Sequence, residues 1–223
     1  VIVGLTFLSG LLGTGHHYYY IGVNKIWLIV GGIFSALEPL AFLAMALFAV
    51  YMYRKGEKSH PNKIALFWTI GASIVSFVGA GLLGFAHTLP QTNLYTHGTL
   101  VTAMHGHYAF WGAYAMIVLA IISYALPNMT GRKRYNSTQG HMAFWFSNVG
   151  MLGMTVAFGV AGVAQVYLER KMKMDFMDVQ NEIAIHFVVL LVCATLFATG
   201  ITMFIIEFIK YGKPTDEALI KEE

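Results

Sequence analysis

Three groups of side chains able to bind metal or carry a proton lie inside otherwise apolar stretches. They are the adjacent pair His16-His17, the lone carboxylate Glu38, and the triplet His105-Gly106-His107. Ionisable groups are costly in such surroundings and are candidates for function wherever they occur there. Residues two apart on a helix point about 200° from one another. His105 and His107 therefore suit two cofactors on opposite faces of one helix better than one shared ion. Imidazole is a common axial ligand of haem iron, so a haem on either side is the natural reading, with Gly106 leaving room for a macrocycle edge. His16 and His17 diverge by only about 100°, and a loosened final turn can aim both rings at a single ion.

The elements that must position these residues are set by composition. Hydrophobic residues make up 57% of the 223 residues and charged residues only 11%, with a mean hydropathy of +0.63. Soluble domains carry about a quarter of their residues as charges, so a polytopic membrane protein is expected. Apolar stretches long enough for helices run over about 1–17, 26–53, 64–87, 99–126, 141–168 and 183–209. They lack the alternation of β-barrel strands, which predicts an all-α transmembrane bundle forming a single domain fragment over 1–223. The chain opens on Val1, already inside an apolar stretch and without an initiator Met, which predicts a missing N-terminal portion.

Loop charges predict the orientation. Arg54, Lys55, Lys58 and Lys63, then Arg132, Lys133 and Arg134, then Lys210, Lys213 and Lys221 fall on one side, which is expected to be cytoplasmic. Residues 210–223 would form a cytoplasmic tail, frayed from Thr215 on. The net charge of +3 is small and its carriers form no groove-lining stripe, which argues against nucleic acid as a partner. Cys193 is the only cysteine, so neither a disulfide nor a cysteine metal site is expected.

Depth then links the three groups. At 1.5 Å per residue, His105 and His107 lie roughly 12–15 Å below the outer surface, and Glu38 about 18 Å along its own helix from the same side. His16 and His17 close a helix rising towards that side. A single membrane histidine is as readily a hydrogen-bonded packing residue, but unrelated packing residues would not share one layer. Glu38 precedes Pro39, so its plainer reading is a polar plug at a kink. His87, His97, His141 and His186 sit at span ends and His60 in a basic loop, where interfacial placement accounts for them. His97, just above the proposed haem level, is the one that could meet a propionate.

The segments Gly13-Thr14-Gly15-His16-His17-Tyr18, Ala36-Leu37-Glu38-Pro39-Leu40 and Met104-His105-Gly106-His107-Tyr108-Ala109-Phe110-Trp111-Gly112 closely resemble the catalytic (cytochrome b) subunit of bacterial nitric oxide reductases, in the haem-copper oxidase superfamily. The likeness runs through essentially the whole chain and corresponds to the last six of that family's twelve helices. It implies His105 as the proximal ligand of a high-spin haem b and His107 as an axial ligand of a low-spin haem b. It implies His16 and His17 as two of three histidine ligands to a non-haem iron, and Glu38 as a catalytic carboxylate beside that iron. The resemblance also implies calcium as a further cofactor. The implied reaction takes two NO, two electrons and two protons to N2O and water, in the inner membrane of a bacterium. Implied partners are the lipid bilayer, the N-terminal half of the same subunit and a membrane-anchored cytochrome c subunit as electron donor. The short C-terminal tail and the Glu169–Glu182 loop favour that donor over quinol.

Three other functions fit parts of the same pattern. An oxygen-reducing haem-copper oxidase would hold copper in place of the iron, although the Glu38 segment argues against it. An electron-transfer cytochrome b would leave His16-His17 idle. A transporter relaying protons through Glu38 and the histidines would carry no haem.

Overall fold

The computed structural model describes residues 2–56, 62–131 and 138–211. Every regular element among these is helical, and five helices are long and apolar enough to cross a membrane: Lys25–Lys55, Lys63–Thr88, Leu100–Met129, Thr138–Lys171 and Ala184–Lys210. The protein is a multi-pass, all-α membrane protein. Before the first of these lies α1 (Ile2–Gly13), which tightens into a 3-10 turn over Thr14–Tyr18. The expected tail from residue 212 on, together with Lys58, His60, Arg132, Lys133 and Arg134, lies outside the described residues.

The first long span is two helices, α2 (Lys25–Ser35) and α3 (Glu38–Lys55), interrupted at Ala36–Leu37. A proline disfavours helical backbone in the residue before it but is well tolerated in a first turn, where its missing N–H costs nothing. The break accordingly falls ahead of Pro39, and Glu38 becomes the first residue of α3. The next span joins α4 (Lys63–Ser76) through a π-helical turn at Phe77–Leu82 to α5 (Leu83–Thr88). Short α6 (Pro90–Thr96) then leads to α7 (Leu100–Phe110), which continues through a second π turn, Trp111–Ala115, into α8 (Met116–Met129). The last described elements are α9 (Thr138–Val166), a π turn at Tyr167–Lys171, α10 (Phe176–Glu182) and α11 (Ala184–Tyr211).

Capping side chains fix where three spans begin. Asn24 Oδ1 accepts from Ile26 N at 3.0 Å, Asn62 Oδ1 from Ala65 N at 3.0 Å, and Thr99 Oγ1 from Val101 N at 3.3 Å. Gly98, at φ +72°, makes the left-handed turn that delivers the chain to Thr99.

In a bilayer, helices associate through close packing rather than water exclusion, so small residues mark their contacts. A Cβ on Gly112 would lie 2.6 Å from Ser76 N, one on Gly79 2.7 Å from Ala109 N, and one on Gly200 2.5 Å from Ser147 N. The first two lock α4 and its π turn against α7 and the turn that follows it. Below them sits an aromatic core in which Trp68, fully buried, meets Trp111, Phe144 and Phe204 edge-on at 6.0, 5.1 and 5.8 Å between ring centroids. Edge-to-face contacts of this kind hold ring geometry beyond simple burial, so α4, the π turn after α7, α9 and α11 are tied into one frame.

Candidate metal and haem centre

His16 and His17 stand on the 3-10 turn after α1, with ring centroids 4.0 Å apart and planes tilted by 35°. His16 Nδ1 lies 2.8 Å from Gly13 O, a carbonyl that can only accept, so this nitrogen carries the proton and Nε2 keeps its lone pair. Ser35 Oγ, itself donating to Gly13 O at 3.0 Å, ties the same carbonyl to α2. The turn can lie this close to α2 because glycine faces glycine: a Cβ on Gly31 would run into the backbone of Gly15 and His16. Tyr19 is buried and donates to Thr88 O at 2.7 Å, pinning the end of the turn to α5. Burial, with Tyr20 beside it, pushes the Tyr19 phenol above its ordinary pKa, so it stays a donor.

His105 points towards α5. Its Nδ1 donates to Gly79 O at 2.9 Å, inside the π turn, where a widened ladder makes a carbonyl available to a side chain. Around Gly84 the imidazole and Glu38 converge: a Cβ there would sit 3.2 Å from His105 Cε1 and 3.8 Å from Glu38 Oε2. His16, His17 and His105 stand close enough to interact electrostatically, and so does His87. The fold thus brings His16, His17, Glu38 and His105, which come from three separate segments, into one neighbourhood.

His107 takes the other side of α7. Its Nδ1 donates to Ala103 O at 2.8 Å, leaving Nε2 free, and its ring meets Phe158 at 4.9 Å. It opens on an apolar groove of about 680 Å³ lined by Gly106, Phe110, Trp111, Met151 and Phe197, among others. Nothing lies within 4 Å of a Cβ placed on Gly106. A histidine with a tethered Nδ1 and a free Nε2, facing a wide apolar cleft, fits an axial ligand beside a flat hydrophobic macrocycle. His105, on the other face, shares the tethered Nδ1. For a non-haem metal the fit is partial. His16 and His17 offer a pair of nitrogens, but among the described residues no three His, Cys, Asp or Glu side chains are placed to hold one ion.

One correction concerns His87. Read as an interfacial residue at a span end, it is instead buried, at 7% exposure, and its ring stacks on His105 at 5.0 Å and 25°. The apolar run does end there, but α6 folds back over it, with Asn93 Nδ2 donating to His87 O at 2.8 Å. His97 is exposed and meets Tyr20 edge-on at 5.4 Å. Glu207, which was not among the candidates drawn from sequence, is buried in α11 at 2% exposure. The signal for it was an acid inside the last apolar run.

A family model described as Cytochrome C and Quinol oxidase polypeptide I matches residues 1–203. Among curated proteins, a nitric oxide reductase subunit of Stutzerimonas stutzeri is 41% identical over 221 residues, covering 96% of this chain. The match covers 47% of that relative, so the chain spans about half its length.

Proposed function

Because the chain belongs to the cytochrome c and quinol oxidase polypeptide I family, we propose that it acts as the catalytic subunit of a nitric oxide reductase, coupling two NO to N2O and water. The observation that carries this reading is the convergence of Glu38 and His105 at Gly84, beside the His16–His17 turn. The Stutzerimonas stutzeri relative, named as part of a nitric oxide reductase, supports it. A carboxylate among imidazoles suits iron better than copper, because oxygen donors favour harder ions.

In this reading His105 holds the high-spin haem b, His107 the low-spin haem b, and His16 with His17 two positions of a non-haem iron. Its remaining ligands come from outside the described residues, as does the second ligand to the low-spin haem. When bound, these groups would supply the electrons for reducing NO, and holding two NO molecules together would make N–N coupling a proximity-assisted step. The chain's own contribution is positional. The Gly79 and Ala103 carbonyls fix the tautomers of His105 and His107, and the Gly15–Gly31 contact holds the His16–His17 turn against α2. Glu38 receives and passes protons at its carboxylate. Electrons come from a membrane-anchored cytochrome c subunit, calcium completes the cofactor set, and the basic loops face the cytoplasm of the bacterial inner membrane.

Metal analysis of the full complex is the direct test. One iron beyond the haem irons, with negligible copper, is expected. One copper and no additional iron would replace this reading with an oxygen reductase, and no metal beyond haem would leave an electron-transfer cytochrome. The glycine contact gives a second expectation. Gly31→Val should force the His16–His17 turn off α2 and lower non-haem iron content by about 10-fold or more while leaving haem b content unchanged, as supporting-shell changes commonly do. Unchanged iron would show that this contact does not hold the ligand pair.

A further inference from the structure

His105 and His87 hang from one edge of the same helical segment. His105 Nδ1 donates to Gly79 O and His87 Nδ1 to Leu83 O, both at 2.9 Å, and the two carbonyls are one turn apart. The tautomer of each ring is thereby set in the same sense, leaving an Nε2 lone pair on both. The Nε2 of His105 is accounted for by the haem assigned to it above. That of His87 is not: it is buried and has no hydrogen-bond partner among the described residues. A buried acceptor left unmatched is costly, and a native site that contains one calls for a group to fill it.

Stacking decides which group. The bond from an axial imidazole to its iron lies in the ring plane, and the macrocycle stands perpendicular to that bond. A displacement along the normal of the His105 ring therefore runs parallel to the macrocycle. The His87 ring lies beside that of His105, with centroids 5.0 Å apart and planes 25° from parallel. It therefore flanks the imidazole, next to the macrocycle that His105 would hold. At a haem edge the only strong donors are the carboxylic side arms, when protonated, and water bound to them.

Resting on the assignment of His105 as a haem ligand, we infer that His87 is a cofactor-binding residue whose Nε2 accepts a hydrogen bond from a propionic acid arm of that haem, or from water on it. His87 is not itself a metal ligand, and its contact fixes the rotation of the macrocycle about the His105 bond.

The test uses the full complex purified with its haems and resonance Raman spectra of the high-spin haem. His87→Phe keeps a flat ring against His105 but removes the acceptor, whereas His87→Gln restores an acceptor without the ring. In His87→Phe the propionate-bending band should shift while the iron–histidine stretch stays in place, and in His87→Gln that band should return towards its parent position. A packing role alone would give the opposite ranking, with Phe closer to the parent than Gln. If His87→Phe fails to bind the haem, recovery of the haem in His87→Gln supports the inference, and its continued absence overturns it. An unmoved propionate band in His87→Phe, with His105→Ala still abolishing the high-spin signal, overturns this inference alone. A high-spin signal that survives in His105→Ala overturns the ligand assignment and this inference with it.

Discussion

Replacing His105 by Ala is expected to leave a complex with one haem b, the one on His107, and turnover reduced by at least about 100-fold. Losing a partner that merely orients a metal ligand costs about 10–100-fold in affinity or activity, and losing the ligand itself should exceed the upper end of that range. The fold argues that the effect stays local. The helix carrying His105 is anchored by Trp111, whose Nε1 donates to Asn148 Oδ1 at 3.1 Å, and by Leu100 N donating to Gln165 Oε1 at 2.9 Å. Neither contact involves the imidazole. His107 is held from its own helix through Ala103 O and should keep its orientation. The reciprocal variant, His107→Ala, should lose the low-spin spectrum and retain the high-spin one. Loss of both haems from either variant would mean that the two sites are not independent faces of α7.

Glu38→Ala is expected to lower turnover by roughly 10²–10⁴-fold, the usual worth of a positioned proton donor or acceptor, with both haem spectra unchanged. Glu38 is the first residue of α3, a position where the helix dipole favours a carboxylate. Its Oε2 reaches towards Gly84, on the side where His105 stands. Glu38→Gln separates two roles. If the group carries protons, Gln should be as slow as Ala with normal iron content. If it balances or binds the iron, both variants should also lose non-haem iron. Near-normal turnover in Glu38→Ala would remove the residue from the reaction.

How much of this was legible beforehand depended on the physical quantity concerned. Depth in a membrane is close to a one-dimensional property. Hydropathy marks the spans and counting residues gives the level of a side chain, so His16, His17, Glu38, His105 and His107 could be placed in one layer from sequence. The opposition of His105 and His107 followed from helical periodicity, and in the fold one faces the Glu38 side and the other the open groove. The helical membrane class was likewise determined by composition and run length alone.

Which way a residue faces was a different matter. One residue of extra winding turns everything downstream by about 100° relative to the sequence pattern, and the π turn at Phe77–Leu82 has no sharp sequence signature. Only the tertiary structure therefore showed that the segment beyond it presents Gly84 and His87 to His105 instead of to the surface. The glycines tell the same story. Gly106 lies between two histidines, yet it opens on free space. The approach that places His16 and His17 is made by Gly15 on Gly31, residues on two different helical segments. Sequence determined what lies at each level, because burial in a membrane is read along the chain. The structure decided what meets at that level, because contact depends on helix rotation and on partners distant in sequence.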